Sequence, residues 1–184
     1  MPKELQGKKI AILVEDGFEQ VELTGPKDAL EAAGAQTAIV SPQNDRVKGW
    51  QHTQWGDTFP VDVALESADA RCFDGLLLPG GVMNPDKLRV NDRAVAFVRS
   101  FFNEHKPVAA ICHGPCTLID AGVVNGRRMT SFPSIKSDLK NAGADWVDEQ
   151  VVQDRNLITS RKPNDIPAFN AAMVKEFSRS PVAR

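Results

Sequence analysis

Long apolar runs are missing from this chain of 184 residues. No stretch approaches the roughly 18 apolar residues of a membrane span, so no membrane partner is expected. The amino end, Met-Pro-Lys-Glu-Leu-Gln-Gly-Lys-Lys, lacks the apolar core of a signal peptide. Charge of one sign is also missing. The net charge is −2, so no basic field invites nucleic acid. Tyrosine is absent, which removes every phenolic hydroxyl from the list of proton donors. Cysteine is scarce. Cys72, Cys112 and Cys116 are odd in number and not spaced as a disulfide framework, which points to a reducing cytoplasm. No Cys/His set has zinc-site spacing. No glycine-rich phosphate loop or dinucleotide fingerprint occurs. Neither a metal nor a cofactor is therefore expected.

What is present is an ordinary globular composition, with 42% hydrophobic and 25% charged residues. The length suits one domain over 1–184, with a core over 8–177 and a loose tail at 178–184. Buried strands are read at Lys8 to Val14, Gln36 to Val40, Asp74 to Leu78 and Val108 to Ile111. Helices are read at Val21 to Ala33, Asp92 to Asn103, Ser134 to Ala142 and Pro163 to Phe177. The spacing of 94, 95, 97, 98, 101 and 102 is helical. Gln43 to Asp57 reads as loop or hairpin, and Thr58 to Val63 as an edge strand because of Pro60. Trp146 to Val152 alternates like a strand, with Asn156 to Thr159 as its pairing partner. Continuous apolar strands alternating with helices mean an α/β fold, with a mostly parallel sheet covered on both faces. Ligands bind beyond the carboxyl ends of such strands. Three strand ends carry chemistry: Glu15-Asp16-Gly17, Pro79-Gly80-Gly81 and Cys112-His113.

The last of these is the most informative. In Pro107-Val-Ala-Ala-Ile-Cys-His-Gly-Pro115 a buried strand stops on a cysteine and turns into a helix, which is a nucleophile elbow. A helix N-terminus favours thiolate over thiol, so Cys112 is expected to have a low pKa. Pro115 suits a first helical turn. Gly80 and Gly81 let the backbone aim its N–H groups at a neighbouring oxyanion. Glu19 and Glu22 share one helix face. One of them suffices as a dipole residue, and the other can reach Cys112 as a carboxylic acid kept neutral by burial. His113 follows the cysteine directly. Its side chain is expected to diverge from Cys112, which suits a relay on the substrate side or a backbone N–H donor. His52 and His105 are read as exposed surface residues, and Cys116 as packed.

The chain resembles the ThiJ/PfpI family of the class I glutamine-amidotransferase-like superfamily. The carrying motifs are Asp16-Gly-Phe-Glu-Gln-Val-Glu-Leu-Thr-Gly-Pro26, Leu78-Pro-Gly-Gly81, Ala110-Ile-Cys-His-Gly-Pro115 and Ala121-Gly-Val-Val-Asn-Gly-Arg127. Thr130-Ser-Phe-Pro-Ser-Ile-Lys136, Asn141-Ala-Gly-Ala-Asp-Trp146 and Thr159-Ser-Arg161 continue it. The resemblance implies a flavodoxin-like sandwich working as a homodimer or higher homo-oligomer, with Cys112 as nucleophile. It puts the cysteine-contacting glutamate on Glu22 and a second acidic position on Glu19. It also implies that His113 is oriented by an acidic residue of a neighbouring subunit, which maps to Asp86. A tyrosine of the family pattern is Phe132 here.

The expected function is a cytoplasmic, cofactor-free stress-defence enzyme acting on reactive carbonyls or their adducts, as a glyoxalase or deglycase. Cys112 would add to an aldehyde carbon, with the backbone N–H groups of Gly81 and His113 holding the oxyanion. The rivals are an intracellular cysteine peptidase and a redox sensor or holdase with an oxidisable Cys112. A glutamine amidotransferase is excluded by the lack of a downstream His-x-Glu pair.

Overall fold

Alternation inside the buried strands decides the architecture. In β1 (Lys9–Leu13), Ala11 and Leu13 join one apolar cluster, while Ile10 and Ile12 join another. Successive side chains point to opposite faces, so a strand apolar at every position needs cover on both sides. The computed structural model describes residues 3–179.

A short strand β2 (Phe18–Glu19) leads into α1 (Gln20–Ala32), followed by β3 (Gln36–Ser41). The hairpin β4 (Arg46–Gln51) and β5 (Gln54–Pro60) precedes the short β6 (Val63–Ala64). Next come β7 (Gly75–Leu78), α2 (Met83–Arg89), α3 (Asp92–Asn103), β8 (Val108–Ile111) and α4 (Pro115–Asp120). The chain continues through β9 (Arg128–Met129), α5 (Lys136–Asn141), β10 (Asp145–Trp146), β11 (Val151–Asp154), β12 (Leu157–Ser160) and α6 (Ile166–Arg179).

The main sheet has seven strands in the order β11-β12-β8-β7-β1-β3-β6. Its pairs are parallel, save that β11 runs antiparallel to β12. On one face Leu23 and Leu30 of α1 and Phe169, Met173 and Phe177 of α6 pack on Ile10, Ile12, Leu77 and Ala109. On the other, Ala94, Val98 and Phe101 of α3 join Leu88 of α2 against Leu13, Leu76, Leu78 and Ala110. Each such large side chain contributes about 1.5–3 kcal/mol by leaving water. Asn91 starts α3, its Oδ1 accepting from the N–H groups of Arg93 and Ala94 at 3.0 and 3.1 Å.

The chain runs from β1 outward to β3 and β6, then returns to β7 on the other side of β1. The loops leaving β1 and β7 therefore part, and a crevice opens between them. The registers Ile12 to Leu77 and Leu78 to Ala110 bring the carboxyl ends of β1, β7 and β8 level.

Four elements differ from expectation. The stretch 43–57 is a hairpin, and its second strand begins at Gln54 rather than at Thr58. Residues 146–152 are not one strand. Trp146 pairs with β9, and β11 pairs with β12 in the main sheet. Residues 163–165 form a 3-10 turn before α6. That helix continues through Ser178 and Arg179, which corrects the start of the expected tail; residues 180–184 lie outside the described residues. Among the described residues, no helix is long and apolar enough to cross a membrane.

Candidate active site

Cys112 is the first residue beyond β8, and its φ is +63°. A side-chain residue in the left-handed region costs about 1 kcal/mol or more unless its surroundings hold it there. Three backbone bonds do so. Cys112 N–H donates to the Ser160 carbonyl at 3.1 Å, its carbonyl accepts from Phe132 N–H at 2.8 Å, and Gly114 N–H closes on the Ile111 carbonyl at 2.9 Å. Pro115 then opens α4 at its first position. This is the elbow expected from the sequence.

The same left-handed turn brings the His113 ring back beside the sulfur. Its Nδ1 is 3.2 Å from Cys112 Sγ, which corrects the expectation that the two side chains diverge. The far nitrogen, Nε2, is 2.9 Å from Ser134 Oγ. The ring stacks on Phe132 with centroids 4.7 Å apart. Burial lowers the His113 pKa and so disfavours the imidazolium form.

Glu22 lies in the first turn of α1 and is fully buried. Its Oε2 accepts from Gly80 N–H at 2.8 Å. Its other oxygen, Oε1, has no hydrogen-bond partner by geometry, although the carboxyl interacts with the Cys112 side chain. An unpaired buried oxygen is costly, and a proton on the carboxyl lessens that cost by removing its charge. Burial raises the Glu22 pKa to about 8, and the nearby charge of Glu19 adds to the rise. Glu22 is therefore a neutral acid at neutral pH.

Cys112 itself is pushed up, first by burial and then by the Glu22 carboxyl when charged. The backbone N–H groups of Gly81 and His113 oppose this by bonding the sulfur. Burial thus works against the low thiol pKa expected from the elbow. The helix that follows has only six residues. With Glu22 protonated the repulsion vanishes, and three donors face the sulfur: Glu22 and two backbone amides.

The glycine pair divides its roles. Gly80 N–H is spent on Glu22, which corrects its expected part in an oxyanion hole. Gly81, with φ +79°, interacts through its backbone with the sulfur and also with the Glu22 carboxyl, and a Cβ there would sit 2.6 Å from Glu19 N and Gly17 O. Behind the pair, Asn84 is fully buried. It donates to the Pro79 and Gly80 carbonyls at 3.0 and 3.1 Å and accepts from Glu15 N–H at 2.7 Å. It clamps the loop after β1 to the loop after β7, and no sequence pattern marks it. Asp86 is exposed on the same helix, α2. Its carboxylate makes no hydrogen bond or ion pair among the described residues, and within one chain Ser134, not Asp86, holds His113. Its charge is felt by the buried Cys116, which packs as expected.

A cavity of about 520 Å³ opens over the sulfur, walled by Glu19, Trp50, His52, Met83 and Phe132. His52 is exposed as expected but belongs to this wall. Its N–H donates to Glu19 Oε1 at 3.3 Å, and its ring Nδ1 is 3.7 Å from the same oxygen. Among the described residues, no group of three or more His, Cys, Asp or Glu side chains is placed to hold a metal ion.

An α/β sheet whose switch point carries a cysteine elbow, a buried acid and an adjacent histidine defines a cysteine-nucleophile class. Within it, the chain belongs to the DJ-1/PfpI family, whose model matches residues 8–176. It is 43% identical over 167 residues to a deglycase of Thermococcus kodakarensis, covering 91% of this chain and 98% of that protein. It is 46% identical over 167 residues to general stress protein 18 of Bacillus subtilis, covering 89% and 94%. The crystal structure of Drosophila melanogaster DJ-1beta matches with a TM-score of 0.85 at 28% identity, over 94% of this chain and 91% of that one.

Proposed function

We propose that this chain is a cysteine-dependent enzyme of stress defence that acts on reactive carbonyls or their adducts, as a deglycase or glyoxalase. The observation that carries this is the 3.2 Å approach of His113 Nδ1 to Cys112 Sγ beneath a cavity of small-molecule size. The sulfur adds to an aldehyde carbon. A C–S bond forms, the carbonyl pair moves onto oxygen, and the thiol proton passes to His113. The N–H groups of Gly81 and His113 stabilise negative charge at this point. For a dicarbonyl, a proton then moves from the carbon bearing sulfur to its neighbour, giving a thioester. Water cleaves it, the thiol is restored, and the net change is addition of water to give a hydroxy acid. For a hemiaminal adduct the C–N bond breaks first: the hydroxyl pair closes to a carbonyl, the hydroxyl proton passes to the departing amine, and the sulfur then adds to the freed aldehyde as above. Glu22 stays protonated and bonds the sulfur whenever it is anionic. The test is mass spectrometry of products. Lactate from methylglyoxal, or free amine from its adduct, is expected, and Cys112→Ala should abolish it. Peptide cleavage without either product would favour the peptidase. Peroxide consumption without turnover would favour the sensor.

We further propose that the working unit is a homodimer or higher oligomer in which a second copy presents Asp86 to His113. Two features support this. Ser134 is exposed, so the Nε2 edge of the ring is reachable from outside, and the Asp86 carboxylate has no hydrogen bond or ion pair among the described residues.

A further inference from the structure

We infer that Glu19 and Trp50 form a cation subsite in the active-site cavity, which admits carbonyl substrates bearing an ammonium or guanidinium group and turns away those bearing carboxylate or phosphate. This rests on the carbonyl-enzyme reading for its substrate, but not for its test. The charge census of the wall carries the argument. The wall contains no Lys or Arg. Glu22 is neutral below about pH 8, and burial disfavours charge on His113. Glu19 is the other carboxyl group of the wall. Its side chain is 12% exposed, and a carboxylate so placed needs partners. It has an incomplete set. Oε1 takes the His52 N–H at 3.3 Å, while Oε2 makes no hydrogen bond among the described residues. Its one nearby ring, His52, is 74% exposed at the rim.

The second feature is aromatic. Trp50 lines the same cavity. Its indole N–H donates to the His52 carbonyl at 2.8 Å, and it packs with Trp55 as a T-shaped pair with centroids 5.3 Å apart, so the ring is held in place. A carboxylate beside a fixed indole is a cation-binding pair, because the ring face attracts positive charge. Lys48, the nearest cation of the hairpin, lies 5.6 Å over Trp55 and not in the cavity wall. An anionic substrate would meet the Glu19 charge with no counter-cation, whereas a cationic one supplies the missing donors to Oε2.

The test reads charge at Cys112 without any turnover. Label the whole protein at low ionic strength with methyl, 2-aminoethyl and 2-sulfonatoethyl methanethiosulfonate, which are neutral, cationic and anionic. Score only Cys112, by peptide mass spectrometry, since Cys72 is exposed and will be labelled as well. Normalise each rate to that of a free small thiol. The cation-to-anion ratio should reach about tenfold or more, as expected for unit charges several ångströms apart. In Glu19→Gln it should fall to within about threefold of unity. Trp50→Leu should lower the cation-to-neutral ratio alone. A wild-type ratio near unity overturns the inference, as does a ratio unchanged in Glu19→Gln. The wild-type ratio needs no variant, so the inference is decided even if Glu19→Gln fails to fold. Charge selection without carbonyl turnover would retire the proposed reaction and keep the subsite; turnover without selection would do the reverse.

Discussion

Glu22 and Cys112 share a small dry space in which only one negative charge is tolerated. Glu22 ionises near 4.5 in an open chain and near 8 in the fold. Between those values the folded state holds a proton that the unfolded state has lost. Stability from this group is therefore highest below the lower value and falls as pH rises through the window. At about 1.4 kcal/mol per pH unit the full loss is of the order of 3–5 kcal/mol. Thermal melts of wild type and Glu22→Gln should diverge from pH 5 to pH 8.5, with the wild type losing more. Parallel curves would mean that Glu22 is already ionised in the fold. The same proton serves the chemistry. Glu22→Gln keeps a donor toward the sulfur and should retain most of the iodoacetamide reactivity of Cys112. Glu22→Leu keeps none and should lose about tenfold or more, the usual scale for one charge-stabilising donor. Equal rates in the two variants would remove Glu22 from this role.

At the level of elements, the site is three strand ends held in one plane, and Asn84 is the part that spans two of them. Asn84→Ala leaves the Glu15 N–H and the Pro79 and Gly80 carbonyls without this partner. Buried groups left unpaired cost about 1–3 kcal/mol each, so a loss of at least about 3 kcal/mol is expected. For a chain of this size that lowers Tm by about 6–12 °C. In calorimetry, a drop of less than about 3 °C would show that the loops hold without the clamp. Legibility follows the same physics. Ile10 to Val14 and Val108 to Ile111 stand out in the sequence because strands covered on both faces are apolar throughout. The 3.6-residue spacing likewise exposes α3. The helix α2 has only seven residues with Pro85 among them, and β2 is two residues long; neither has room for a period. Trp146 to Val152 does alternate, but alternation cannot say that its ends belong to two sheets. In the site, Cys112 and Gly81 are legible as types at strand ends, while Glu22 is legible only as one of two acids at a helix start until the family resemblance chooses it. The use of Gly80 N–H is not, because its partner Glu22 is 58 residues away in sequence. The direction of the His113 ring is not either, since it follows from a single dihedral at Cys112.

For the whole molecule, the open question is what orients His113. Within one chain Nε2 has a hydroxyl partner, Ser134 Oγ at 2.9 Å. A hydroxyl can fix the tautomer but does little to stabilise an imidazolium, whereas a carboxylate does both. If His113 takes the thiol proton during turnover, it becomes positive in a site whose burial disfavours that charge. A carboxylate arriving from outside would offset this, and Asp86 is an exposed, unpaired candidate. Subunit mixing separates the possibilities. Asp86→Ala and Cys112→Ala should each be inactive alone. After exchange of subunits, some mixed interfaces place an intact Cys112 and His113 beside an intact Asp86, and partial activity should return. If Asp86 acts only within its own chain, every Cys112 remains with a missing Asp86 and activity stays at zero. Light scattering at working concentration gives an independent reading. A fully active monomer would leave Ser134 as the sole orienting group, and Ser134→Ala would then depress kcat in place of Asp86→Ala.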